Sequence, residues 1–283
     1  MNVLLAVARF MWRPIYRATR PLVRKYNDYR IRQVAESELI AQQKNLFWEA
    51  GLDWASAHQK VIDLVGPHAD FKSHRSQHYE LFVAIAQLKS PKKVLEIGTA
   101  DASFTLFLAQ IFPNSEIVTV DLPVDDHRFW NATSKEAGSD VAKVFRDEFQ
   151  SPELNIRNKN LSSSPNIVFR EMNSLELTQF DAEEYDIIWV DGDHTYPVVA
   201  CDITNAIRLL APDGFVCCDD IRLAGGQQEK WGSRESLMTL NAFNKAKVIK
   251  TNYVLKSIRP EKNFSVRLKK HIAISKLADN KNI

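Results

Sequence analysis

Cysteine is scarce in this 283-residue chain. Only Cys201, Cys217 and Cys218 occur, too few for a disulfide framework and without the spacing of a metal knuckle. Cys217 and Cys218 stand side by side in an apolar run and read as core thiols, which suits a reducing, cytoplasmic compartment. Long apolar runs are missing as well. The opening MNVLLAVARFMW is too short to cross a bilayer, has no basic n-region and leads to no small-residue cleavage site. Neither a secretory signal nor a transmembrane helix is expected. No internal repeat or low-complexity tract competes with a globular reading, and 45% hydrophobic with 25% charged residues is too apolar for general disorder. A strong charge of one sign is absent too, since the formal net charge is only +2.

The charge that exists is concentrated. Residues 1–30 carry seven Arg or Lys against the single Asp28, which leaves the remainder net acidic, so contact with nucleic acid is not expected. Up to about residue 34, apolar positions at roughly helical spacing alternate with arginines, and Pro14 and Pro21 interrupt them. This arm reads as a helical extension packed on its own core or on another subunit, with peripheral contact to an anionic membrane as the alternative. Residues 35–65 keep a loose helical pattern, and GPHADFKSHRS reads as a loop. We place the boundary there, giving a helical extension over 1–75 and a catalytic domain over 76–283.

From HYELFVAIAQL onwards, strand and helix signals alternate. KKVLEIG, SEIVTVD, NIVFREM, EEYDIIWVD and FVCCDD read as buried strands, and SFTLFLAQIF and VVACDITNAIRLL as helices between them. Such units predict an α/β fold with a mostly parallel sheet covered by helices. VIKTNYVL and SVRLKKHIAI then follow without a predicted helix between them and suggest a closing antiparallel hairpin. Residues 122–165 form a polar insertion with a predicted helix near Ser139–Phe149, and Pro212-Asp213-Gly214 predicts a turn.

Two groups of residues carry chemistry. Gly98 follows the first strand, where a missing Cβ lets backbone approach a ligand, and the N–H groups near Ser103 open the next helix. Asp121 ends the second strand, where a carboxylate can accept ribose hydroxyls. A dinucleotide oxidoreductase uses similar geometry, but the GxGxxG fingerprint is absent. Glu96 just before Gly98 favours a ligand with an ammonium group over a pyrophosphate. Taken alone, Gly98 reads equally as a turn glycine and Asp121 as a solvated strand end.

The second group is Asp191-Gly192-Asp193-His194 with Asp219-Asp220, at the C-terminal ends of two predicted parallel strands. Converging carboxylates repel unless protonated or neutralised, and oxygen ligands suit Mg²⁺, with Mn²⁺ also suitable. His194 has a near-neutral pKa suited to removing a hydroxyl proton. The bland readings are a strand-end cap for the paired aspartates and a loop hydrogen bond for His194. Asp193 reads as structural.

VLEIGTADASFTLFLAQIFPNSEIVTVD resembles the glycine-rich motif and second strand of class I S-adenosylmethionine (SAM)-dependent methyltransferases. DIIWVDGDHTYPVVACDITNAIRLLAPDGFVCCDDI is similar to the matching segment of a bacterial metal-dependent O-methyltransferase group related to catechol, caffeoyl-CoA and macrolide-sugar O-methyltransferases. The resemblance implies a Rossmann-like, mostly parallel seven-stranded sheet. It implies that Glu96 and Gly98 lie near the methionine part of SAM, Asp121 near ribose, and Asn173 and Ser174 near adenine. By the same resemblance Asp191, Asp219 and Asp220 match metal-ligand positions, with Asp191 also counted in the cofactor site, and His194 matches the catalytic base. One departure is Ala102, where the family usually has glycine.

The expected function is metal-dependent methylation of a small-molecule hydroxyl on a sugar, glycoside or aromatic diol. The competing expectations are metal-independent N- or carboxyl-methylation and a non-catalytic binding or membrane-associated protein. The acceptor pocket is expected to draw on the N-terminal helices, the insertion with Phe129 and Trp130, and a lid over Ile221–Arg234 carrying Trp231. A homo-oligomer is a further candidate.

Overall fold

The computed structural model describes residues 36–65, 76–123, 154–180, 184–223, 233–260 and 267–278. The basic arm, the loop over 66–75, the insertion helix near Ser139–Phe149, Phe129, Trp130 and most of the expected lid with Trp231 lie outside the described residues.

In chain order the elements are α1 (Glu36–Glu49), α2 (Trp54–Val65), α3 (His78–Leu88), β1 (Lys93–Ile97), α4 (Ser103–Ile111) and β2 (Glu116–Asp121). Helix α5 covers residues 154–162. There follow β3 (Ile167–Glu171), a 3₁₀ turn (Ser174–Glu176), α6 (Leu177–Phe180), β4 (Tyr185–Val190), α7 (Val198–Arg208), β5 (Leu210–Ile221), α8 (Arg234–Lys245), β6 (Ile249–Pro260) and β7 (Arg267–Leu277).

The sheet has seven strands in the order β3-β2-β1-β4-β5-β7-β6. The first five run parallel, and β7 is antiparallel to both β5 and β6. This is the predicted Rossmann-like class I methyltransferase arrangement. β1, β2 and β4 are buried along nearly their whole length because helices cover both faces, whereas β3 at the edge is only partly buried.

Alternation along the strands builds two cores. Val94, Ile187, Trp189, Phe215 and Cys217 point to one face, where Phe47, Trp54 and Val61 of α1 and α2 meet Leu81, Phe82 and Ile85 of α3. Leu95, Ile97, Val190, Val216 and Cys218 point to the other and meet Val199 and Ile203 of α7 and Leu240 of α8. Burial raises the thiol pKa values of Cys217 and Cys218 and makes them inert core residues. Residues 36–65 thus share a core with the sheet. The Gln43 amide of α1 pairs with the backbone of edge strand β6, Nε2 donating to Leu255 O and Oε1 accepting from Leu255 N, both at 2.9 Å.

Three features differ from the sequence expectation. Pro212-Asp213-Gly214 lies inside β5 as a bulge, with Tyr185 paired to Leu210 and Ile187 to Phe215. Helices α5 and α8 were not anticipated. α8 carries its own start signal, Ser233, whose Oγ accepts from Ser236 N. Among the described residues no helix is long and apolar enough to cross a membrane.

Candidate active site

The C-terminal ends of β1, β4 and β5 converge, and the backbone there is unusually constrained. Gly98 has φ +101, and a Cβ on it would lie 2.5 Å from Asp191 O and 2.8 Å from its carbonyl carbon. Only glycine lets the β1 and β4 ends come this close. Ala100, Ala102 and Asp220 also have positive φ, a conformation that costs a non-glycine residue about 1–2 kcal/mol. Ala102, at the usual glycine position, is fully buried and left-handed at φ +57. Strain of this kind gathers where function over-determines the chain.

At the cofactor end, Asp121 Oδ2 accepts from Thr99 N (3.2 Å) and Ala100 N (3.0 Å), and Oδ1 from Leu122 N (2.8 Å). Burial raises its pKa more than these N–H groups and Arg157 lower it. The Ser103 N–H is directed to Asp101 Oδ1 at 2.9 Å, and Asn160 of α5 fastens the same loop through Asp101 O at 2.9 Å. Asn173 caps the 3₁₀ turn by accepting from Leu175 N, while Ser174 O accepts from Asn205 Nδ2 at 3.0 Å. Glu96 lies beneath the loop, where its Oε2 takes hydroxyl hydrogen bonds from Thr105 (2.5 Å) and Thr119 (2.7 Å). Burial outweighs both bonds and pushes its carboxyl to about 8.

At the acid–base end, His194 Nε2 stands 3.5 Å from Asp191 Oδ1, and its Nδ1 is buried without a hydrogen-bonding partner. Burial lowers the imidazole pKa, but the hydrogen bond and charge of Asp191, with the charges of Asp219 and Asp220, raise it by more. One donor atom each from Asp191, His194 and Asp219 lie within 4.8 Å of one another, a group able to gather round a metal ion. Asp193 closes its own turn by accepting from Thr195 N and Oγ1 at 2.9 and 2.8 Å.

Asp220, expected beside Asp219 as a ligand, is turned to two lysines that the sequence reading did not single out. Lys256 bridges Asp219 Oδ2 and Asp220 Oδ1, the latter at 2.7 Å, and Lys270 holds Asp220 Oδ2. Burial opposes ionisation of Asp220, yet these ammonium groups outweigh it and hold its carboxyl below the ordinary value. Asp219 is raised by burial and by Asp191. The clue to Lys270 was its place in an alternating strand. A lysine on a strand flanked on both sides must find a carboxylate, but that β7 is interior depends on a strand order the sequence does not print.

Ser233 ties the two halves together. Its N–H donates to Asp220 O (2.7 Å), its hydroxyl to His194 O (2.8 Å), and its Oγ accepts from Ser236 N (2.8 Å). One residue thereby starts α8 and fixes the loop carrying His194 against the end of β5.

Residues 95–221 match the family model described as a methyltransferase domain. The chain has the class I methyltransferase fold. Solved structures similar to it include cofactor-bound Rv0187 from MTB, at 17% identity over 71% of this chain and 79% of that one, with a TM-score of 0.47. The O-methyltransferase TomG from Streptomyces achromogenes, involved in tomaymycin synthesis and solved with SAM, is 14% identical over 80% of this chain and 89% of that one (TM-score 0.47). The N-methyltransferase NodS from Bradyrhizobium japonicum is 16% identical over 72% of this chain and 96% of that one (TM-score 0.44). No match is found among curated proteins.

Proposed function

We propose that this chain transfers the methyl group of SAM to a hydroxyl of a small molecule, with His194 as the base. The observation that carries this reading is the His194–Asp191 pair at the strand ends, its second ring nitrogen left without a partner. A buried polar atom with no partner is uncommon in a purely structural residue.

The loop after β1 fits SAM. Gly98 presents no Cβ to it, and Asp121 Oδ1, which accepts one backbone hydrogen bond, has a second lone pair for a ribose hydroxyl. Bound there, SAM supplies an electrophilic methyl carbon on a positively charged sulfur. His194 Nδ1, the ring nitrogen without a partner, would take up the proton that the acceptor hydroxyl gives off. Asp191, beside Nε2, stabilises the imidazolium that forms. The half-buried rings of His78, Tyr79 and Phe104, with Trp189 behind them, form a wall suited to an aromatic ring or a sugar face. Phenolic and glycoside hydroxyls are therefore the acceptor classes.

The Mg²⁺ or Mn²⁺ that the resemblance implies fits this donor set poorly. Lys256 already engages Asp219 Oδ2 and Asp220 Oδ1, so a dication held by the remaining Asp219 Oδ1 would lie close to an ammonium. Were His194 a ligand, its lone pair would also be lost to proton removal. No step is assigned to a metal.

The test is SAM turnover against a panel of phenols and glycosides. His194→Ala is expected to lower kcat by about 10²–10⁴-fold while affinity for S-adenosylhomocysteine (SAH) stays within a few-fold. Full turnover in that variant, or no SAH binding by the wild-type chain, would sink the reading.

A further inference from the structure

We propose that Lys256 is the working cation of this site, its ammonium taking the place of a divalent metal between Asp219 and Asp220 and offering an N–H to the acceptor oxygen. This deepens the transferase reading above and rests on it.

The placement is built by the backbone. Leu255 pairs with His271 and Ser257 with Lys270, so Lys256 is the unpaired residue of a bulge in β6. A bulge re-aims a side chain relative to the alternation of its strand, and bulges recur beside active sites. The Lys256 carbonyl accepts from Gln77 N at 2.9 Å, which anchors the bulge to the start of α3. Across β7, the β5–β7 register also shifts between Cys218 and Ile221, so Asp219 and Asp220 leave the ladder together, Asp220 at φ +53. Two separate irregularities, one of them strained, are needed to put one ammonium between two carboxylates. A salt bridge serving stability alone needs neither.

The donor count leaves room for a substrate. An ammonium has three N–H donors, of which Asp219 Oδ2 and Asp220 Oδ1 take two. Lys270 holds the other oxygen of Asp220. Neither carboxylate takes the third donor, and the Lys256 side chain keeps 14% of its surface exposed. A hydrogen bond from a fixed cation favours the developing alkoxide or phenolate over the neutral hydroxyl, the same direction of effect that a metal would give. It needs only one oxygen, so the acceptor need not be a chelating diol.

The experiment measures Mn²⁺ binding to the full-length protein by electron paramagnetic resonance and calorimetry, with SAH binding followed on the same samples. The wild-type chain is expected to bind no Mn²⁺ at this site. Lys256→Gln is expected to gain affinity for one Mn²⁺ per chain by about a hundredfold or more, because a repelling charge has been removed. Adding Asp219→Asn to that variant should abolish the gain. Lys256→Arg, which keeps the charge should Lys256→Gln fold poorly, is expected to stay metal-free, and wild-type turnover should be unchanged by EDTA. One tight Mn²⁺ in the wild-type chain that is lost in Asp219→Asn would overturn the proposal, as would wild-type turnover abolished by EDTA. Failure of SAH to bind would instead overturn the transferase reading, which separates the two.

Discussion

Replacing Gly98 with alanine tests whether the close approach of the β1 and β4 ends builds the site. Two costs are separable from the geometry. The first is backbone: φ +101 lies in the region that L side chains avoid, at about 1–2 kcal/mol. The second is steric, because the new Cβ would fall 2.5 Å from Asp191 O, 2.8 Å from Asp191 C and 2.9 Å from Gly192 N. All three are main-chain atoms, so no side chain can swing aside, and prying the strands apart adds about 1–3 kcal/mol. Gly98→Ala is therefore expected to lose about 2–5 kcal/mol in urea unfolding. Gly51→Ala is the matched control: its φ is +75, yet nothing lies within 4 Å of the added Cβ, so only the backbone cost of about 1–2 kcal/mol applies. SAH affinity should fall in the first variant and hold in the second. Equal losses of stability in the two variants would refute the reasoning, since the contact with Asp191 would then cost nothing.

Two further outcomes follow from buried groups in the site. Between its ordinary pKa of 4.5 and the folded value of about 8, Glu96 keeps its proton in the folded chain and loses it in the unfolded one. Its contribution to stability therefore falls as pH rises through that window, by up to about 1.4 kcal/mol per pH unit. Glu96→Gln should flatten this slope, and urea midpoints at pH 5 and pH 8 that differ as much as in the wild type would count against it. Ser233→Ala should cost about 1–2 kcal/mol through its lost helix cap, and should lower kcat because His194 O loses its donor. SAH affinity should be unchanged, and Ser233→Thr should restore both properties. A stability loss with kcat intact would reduce Ser233 to a cap.

The sequence made the parallel core legible because its strands are nearly all apolar between turn signals, and the two terminal segments paired antiparallel as the lack of a predicted helix between them suggested. Asp191, His194 and Asp219 could be brought together on paper because residues ending neighbouring parallel strands emerge on one edge. Asp220 could not be placed the same way. Its direction depends on a positive φ and a register shift, and neither leaves a mark in residue type. Lys256 was hidden for a related reason: its bulge departs from the alternation by which strand faces are read. Helix α8 was overlooked because Asn241 and Asn244 dilute its pattern, although Ser233 and Glu235 mark its start. Glu96 accepts two threonine hydroxyls beneath the loop, a pairing that its place before Gly98 does not reveal because Thr105 and Thr119 come from other elements.

The Gln43 amide has a bearing on the margin of the sheet. A strand at a sheet margin offers unused donors and acceptors to any passing chain. At Leu255 both are already spoken for by a side chain that imitates one link of a neighbouring strand. The helix bearing Gln43 thus serves as a guard against unwanted zippering, and it does so one residue away from the lysine on which the proposed chemistry turns.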